Sequence, residues 1–152
     1  MIRGLIKTDG NLSSLVLRLT LGCVIFAHGA QKVPGWFGGQ GAEKTIELFS
    51  SMGFSLPVVL FVMATEFLGG TALILGLFTR VAALAIAVDI GVCAYLNHLQ
   101  HGFFMNWFGQ QKGEGVEYHI LVIGIGLALM ISGGGIFSVD RTISRKKSKS
   151  RY

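Results

Sequence analysis

The sequence predicts an all-α integral membrane protein, a four-helix bundle with a short amphipathic helix in its first outer loop. Hydrophobic residues make up 51% of the 152 and charged residues only 14%, against roughly a quarter charged in a soluble domain. The apolar residues gather in four runs, near 12–30, 57–77, 81–99 and 118–137, each close to the ~20 residues a helix needs to cross a bilayer. Buried strands and core helices seldom exceed about a dozen residues, and too little polar sequence remains to cover four such runs. Disorder needs low hydrophobicity and high charge. A disulfide scaffold needs more than two cysteines, and a zinc ribbon needs a C-x-x-C pair that this chain lacks.

The first run follows Arg3 and Lys7 and ends near Ala27-His28-Gly29, an order that also suits a signal peptide. Arg18 inside the apolar stretch and three further runs argue for a retained span. A long, weakly polar segment follows, 31–56, opening with Pro34-Gly35-Trp36-Phe37-Gly38-Gly39. Its residues 42–52 carry Ile46, Leu48, Phe49 and Met52 as the apolar side of an interfacial helix. Spans two and three are separated only by Phe78-Thr79-Arg80, which demands a tight antiparallel hairpin. Ala83, Ala87 and Gly91 in span three, and Gly124, Ala128 and Ser132 in span four, recur every four residues. Small residues at that spacing let helix backbones approach in lipid, within one bundle or across a homo-oligomer seam.

Basic residues set the orientation. Arg3, Lys7, Arg80 and six in the tail from Arg141 to Arg151 lie on one side; Lys32, Lys44 and Lys112 lie on the other. Both termini are therefore expected in the cytoplasm, with 1–140 as the membrane domain and 141–152 as a basic tail. The net charge of +5 resides mostly in that tail, which suits the anionic headgroups of a lipid bilayer and gives no reason to expect a nucleic-acid partner.

Arg18, Glu66 and Asp89 interrupt the spans. Ionisable residues at such depth normally face the interior and pair. Arg18 and Glu66 differ in depth by about a turn, so an Arg18–Glu66 ion pair is expected, while Asp89 has no obvious partner. Cys23 and Cys93 read as packing residues, with a redox pair as the sharper alternative. His28, His98, His101 and His119 all fall at the outer ends of spans, accompanied by Lys32, Glu114 and Glu117. Between spans three and four, the segment 102–115 combines Phe103, Phe104, Trp107 and Phe108 with glycines. An aromatic-lined pocket with a few polar groups suits a quinone or similar ring, and imidazole with carboxylate can relay its protons. Histidines on facing helices also raise haem or metal ligation. No C-x-x-C-H is present and no second-shell partner is legible, so no metal is assigned.

These residues resemble the DoxX family of small bacterial membrane proteins. The likeness is carried by Leu17-Arg18-Leu19, Phe26-Ala27-His28-Gly29-Ala30-Gln31-Lys32, Gly35-Trp36-Phe37-Gly38-Gly39 and Glu66-Phe67-Leu68-Gly69-Gly70. It continues through Gly76-Leu77-Phe78-Thr79-Arg80, His101-Gly102-Phe103-Phe104, Gly113-Glu114-Gly115-Val116-Glu117-Tyr118-His119 and Ser138-Val139-Asp140. The resemblance implies a four-span fold and a bacterial inner-membrane location. It also implies association with quinol oxidase or thiosulfate:quinone oxidoreductase systems, or with detoxification of oxidants, thiols or quinones. It carries family positions onto Arg18, His28, Lys32, Glu66, Thr79, Arg80, Glu117 and Tyr118.

The functional expectation is a membrane subunit of a redox system that binds quinone near the outer leaflet. His28, Glu66 and Glu117 are the candidate catalytic groups. Lys32, Trp36, His101, Trp107, Tyr118 and His119 are the candidate ligand-binding groups. Redox partner proteins would supply a sulfur or thiol donor. A small-molecule or sulfur-anion transporter, using Arg18 and Lys32, and a non-catalytic assembly or anchoring subunit are the alternatives.

Overall fold

The computed structural model describes Ile6, Thr8 and residues 10–149, the last four of these by backbone only. Arg3, Lys7 and Arg151 of the charge count lie outside the described residues. Six helices account for most of what is described: α1 Leu12–Lys32, α2 Gly41–Ser51, α3 Leu56–Leu75, α4 Thr79–His101, α5 Glu117–Ser132 and α6 Val139–Lys149. Three of them, α1, α3 and α4, have the length and apolarity of membrane spans, and α5 is a shorter apolar helix of 16 residues. The exposed large side chains of these helices, such as Val24, Phe61, Leu84, Val88 and Ile131, are apolar. That surface is stable in lipid, where it has no water to avoid. The protein is an integral membrane protein, and its bundle is all-helical.

Helix ends follow local chemistry. α1 starts at Asn11, whose side chain accepts from Ser13 N at 2.7 Å, a standard N-cap bond; Pro34 follows its last turn. α2 is the amphipathic helix expected in the first loop. α3 begins after Ser55 with Pro57 in its first turn and ends at Gly76, φ 66°. There Leu77 N donates back to Ala72 O at 2.8 Å, closing the helix as a left-handed glycine allows.

The fourth span is shorter than the predicted 118–137. Gly133 (φ 78°) and Gly135 (φ 70°) end the helix, and the chain turns across the end of the bundle before α6. The expected boundary at residue 140 thus falls inside α6.

Glycines bring α1 against α3. A Cβ on Gly29 would collide with the backbone of Phe67, and one on Gly70 would meet Phe26 N at 2.5 Å. α4 packs on α5 through Ala83 and Ala87, with Gly126 facing both. The expected stripe on the fourth span is displaced, because Gly124 has nothing within 4 Å. The core joins Leu21, Ile25, Leu73, Ile86, Ile90, Val122 and Leu129.

Arg18 does not pair with Glu66, contrary to the sequence expectation. It is 1% exposed and spends its guanidinium on backbone carbonyls at the end of the bundle that holds the 133–138 turn. Nε donates to Gly134 O at 2.9 Å, Nη1 to Leu73 O at 3.1 Å and Ile74 O at 2.5 Å, and Nη2 to Phe137 O at 2.8 Å. The last turn of a helix leaves carbonyls without partners and carries partial negative charge. A buried guanidinium answers both. Arg80 does the same for α5, donating to Met130 O at 2.6 Å.

Candidate functional site

The opposite end of the bundle is open. Two of its helices leave regular geometry there: Thr65–Gly69 in α3 and Ala94–His98 in α4 are π-helical turns. Such insertions re-aim side chains and recur at functional sites. The first carries Glu66, and the second separates Cys93 from His98.

Glu66 pairs with Lys32, Oε2 to Nζ at 2.6 Å. Lys32, in the last turn of α1, lies near Glu66 in depth, whereas Arg18 is more than three turns away along α1. The Glu66 side chain is 8% exposed and that of Lys32 23%, so the pair sits at the mouth of the interior rather than in its depth.

This pair borders two cavities. The larger, about 280 Å³, lies between α1, α4 and α5, with His28, Cys93, His98, Tyr118 and His119 in its wall and Met105 and Glu114 reaching in from the following loop. The smaller, about 150 Å³, lies beneath the amphipathic helix, among Phe49, Met52, Phe54, Val58 and Leu96, with Asp89 in its wall. Lys32, Glu66, Ile90 and Cys93 belong to both. Three buried polar atoms here have no hydrogen bond among the described residues: Tyr118 Oη, His119 Nδ1 and Asp89 Oδ2. Buried polar groups are normally satisfied, so these three atoms are the candidate contacts for a ligand or water.

Of the residues expected at the site, the structure brings His28, Lys32, Glu66, Tyr118 and His119 together around the larger cavity. The His28 and Tyr118 rings stand 6.3 Å apart. Four others lie elsewhere. Glu117 accepts from Met105 N at 3.1 Å and holds the 102–116 loop. His101 packs on Gly113 of the same loop. Trp36 rests edge-on against Phe26, and Trp107 is 76% exposed.

The loop aromatics do not form the expected stacking wall. Backbone bonds Val116 N–Gly102 O, Glu117 N–Phe103 O and Gly115 N–Phe104 O fold the loop upon itself, and Phe103, Phe104 and Phe108 point outward. Interfacial aromatics gain from the headgroup region, which favours that arrangement. Cys23 is exposed and Cys93 half-buried, both free.

Sequence reasoning missed two things here. It named neither His98 nor Glu114 among the site residues, although both line the cavity. It also left Asp140 as a motif letter only. At the closed end Asp140 is 1% exposed and accepts from Phe78 N at 2.8 Å and from Thr79 N and Oγ1 at 2.9 Å each. It caps α4 from across the chain.

The DoxX family profile matches residues 13–99, more than half of the chain. The chain is 30% identical over 132 residues to "Inner membrane protein YqjF" of Escherichia coli K12, covering 87% of this chain and 92% of that protein. It is 25% identical over 136 residues to "Putative oxidoreductase CatD" of Bacillus subtilis, covering 90% of each. A third relative, an uncharacterized membrane protein of Mycobacterium tuberculosis, is 29% identical over 155 residues, covering 93% of this chain and 88% of its own length. No solved structure matches the chain significantly. The profile match and the near full-length likeness to an inner-membrane protein agree with the helical bundle, and the chain belongs to the DoxX family.

Proposed function

We propose that the protein is a membrane subunit of a redox system and binds a quinone-like ring in the 280 Å³ cavity. The observation that carries this reading is the pairing of an apolar cavity with an unsatisfied polar atom, Tyr118 Oη, beside the Lys32–Glu66 pair. The volume lies at the small end of ligand pockets, which run from about 300 to 1,000 Å³. It holds one substituted ring but not a ring with its isoprenoid tail. The adjoining 150 Å³ groove, walled by Phe49, Met52 and Leu96, gives the tail an apolar exit beneath α2.

A quinone supplies acceptance of two electrons with two protons, the electrons coming from a sulfur or thiol donor on a partner protein. This chain's part is binding and protons. The Tyr118 hydroxyl donates to one ring oxygen, and His28 and Glu66 stand where protons enter. The name of the Bacillus subtilis relative supports an oxidoreductase role. The Escherichia coli relative's name and the excess of basic residues near the termini support the bacterial cytoplasmic membrane with both termini inside. The transport reading loses Arg18, whose donors are occupied by carbonyls.

The test is solvent extraction of protein purified in mild detergent, with titration of a short-chain quinone analogue. Quinone should copurify, and Tyr118→Phe should weaken analogue binding about 3- to 10-fold, the worth of one hydrogen bond. Absence of both, with solute flux in liposomes lacking any electron acceptor, would replace this reading by the transporter.

A further inference from the structure

Cys93, His98 and His119 offer one thiol and two imidazole ligand atoms, all within 4.8 Å of one another. All three line the larger cavity. Their convergence is a product of the π-helical turn. In an α-helix of 3.6 residues per turn, a residue five positions on lies roughly 140° away around the axis. The turn Ala94–His98 winds wider, with Leu99 N donating five residues back to Ala94 O, and this brings His98 over Cys93. His119, from the first turns of α5, completes the group from the facing helix, its ring centroid 4.2 Å from that of His98.

Two further observations point to a ligand. His98 Nδ1 lies 2.9 Å from Glu114 O. A carbonyl only accepts, so Nδ1 carries the proton and Nε2 keeps its lone pair. A metal-bound histidine is ordinarily oriented in this way by a backbone carbonyl. His119 is 5% exposed, and its Nδ1 has no hydrogen bond among the described residues.

We infer that Cys93, His98 and His119 form a site for a zinc-class divalent transition metal ion, with a fourth position turned to the cavity. One thiolate and two imidazoles form a borderline-soft donor set that suits zinc, and three protein ligands with one open position is the arrangement of reactive rather than structural zinc sites. Zn–S of about 2.3 Å and Zn–N of about 2.0 Å place ligand atoms roughly 3.5 Å apart around a tetrahedral ion. Small side-chain adjustments of Cys93 and His119 on binding close the remaining gap of about 1 Å. Cys93 binds as thiolate and releases its proton to solvent. The site adds to the ring-binding reading without depending on it.

The probe is Co²⁺, titrated into chelator-stripped full-length protein in detergent. One equivalent should bind, giving visible bands of tetrahedral cobalt and a near-ultraviolet sulfur-to-cobalt charge-transfer band, both displaced by Zn²⁺. Cys93→Ser should abolish the charge-transfer band, Cys23→Ser should retain it, and His119→Gln should weaken Co²⁺ binding at least tenfold. In the Cys23→Ser protein, Zn²⁺ should also slow alkylation of Cys93 at least tenfold, a measurement that does not need a Cys93 variant to fold. Octahedral cobalt without charge transfer, or a Cys93 thiol equally reactive with and without Zn²⁺, overturns the site. Neither readout involves quinone, so its failure leaves the ring-binding proposal standing, and the converse also holds.

Discussion

The charged residues inside the bundle differ in what each can reach. Arg18 meets helix-end carbonyls, Lys32 meets Glu66 at 2.6 Å, and Asp89 keeps one oxygen unsatisfied at the smaller cavity. Sequence depth alone left Arg18 within reach of Glu66, because a position along a helix says nothing of which carbonyls the neighbouring helix ends expose. The assignment has a direct consequence for coupling. Losing one partner of a buried ion pair costs about 3–5 kcal/mol, and partial exposure of Lys32 moves the expectation for Glu66→Ala to the lower end. A double-mutant cycle of Lys32→Met with Glu66→Gln, read by thermal unfolding in detergent, should give a coupling energy of about 1–3 kcal/mol. Arg18→Leu with Glu66→Gln should instead be additive within about 0.5 kcal/mol, although Arg18→Leu alone is severe because it strands several buried carbonyls. Strong Arg18–Glu66 coupling would restore the pair that the structure replaces.

At the scale of elements, the hairpin between α3 and α4 depends on a residue distant in sequence. Phe78 takes a left-handed conformation, φ 46°, that costs an ordinary residue roughly 1–2 kcal/mol, and Asp140 from α6 binds its amide and that of Thr79. Asp140→Ala should destabilise the protein by about 1–3 kcal/mol, the cost of buried donors left unsatisfied, and should accelerate hydrogen exchange at Phe78 and Thr79 ahead of the rest of α4. Contact between α1 and α3 makes a second expectation. Gly29→Ala forces a Cβ into the Phe67 backbone and should cost about 1–3 kcal/mol, whereas Gly124→Ala, with open space around it, should be close to neutral. Apolar runs made the existence of the helices legible in the sequence, and the tight Phe78-Thr79-Arg80 link made the hairpin legible. The π-helical turns were not: Cys93 and His98 stand five apart, a spacing that an α-helix places on different faces, so no ligand pattern was visible. For Glu117, acidic character and depth were legible in the sequence, but its contact with the Met105 amide was not.

The whole molecule has one locked end and one open end. At the first, Arg18, Arg80 and Asp140 bind backbone groups of α3, α4, α5 and the 133–138 turn, and Thr8 Oγ1 accepts from Gly135 N at 2.6 Å. At the second, both π-helical turns, the Lys32–Glu66 pair and the two cavities gather under α2 and the 102–116 loop. On the ring-binding proposal this division is useful, because rigidity at one end fixes helix positions while the cavities lie at the other. The division also fixes a geometric relation: whichever side of the membrane the 133–138 turn occupies, the cavities lie toward the opposite one. On the proposed orientation, with the termini in the cytoplasm by the positive-inside rule, the cavities face the outer leaflet. In a background where both native cysteines are serine, a cysteine at Ser13 should stay unlabelled by a membrane-impermeant thiol reagent in intact cells and label after permeabilisation. A cysteine at Glu43, exposed on α2, should label without permeabilisation. The reverse pattern would put Lys32, Glu66 and the cavities on the cytoplasmic side, and a redox partner would then have to be sought there.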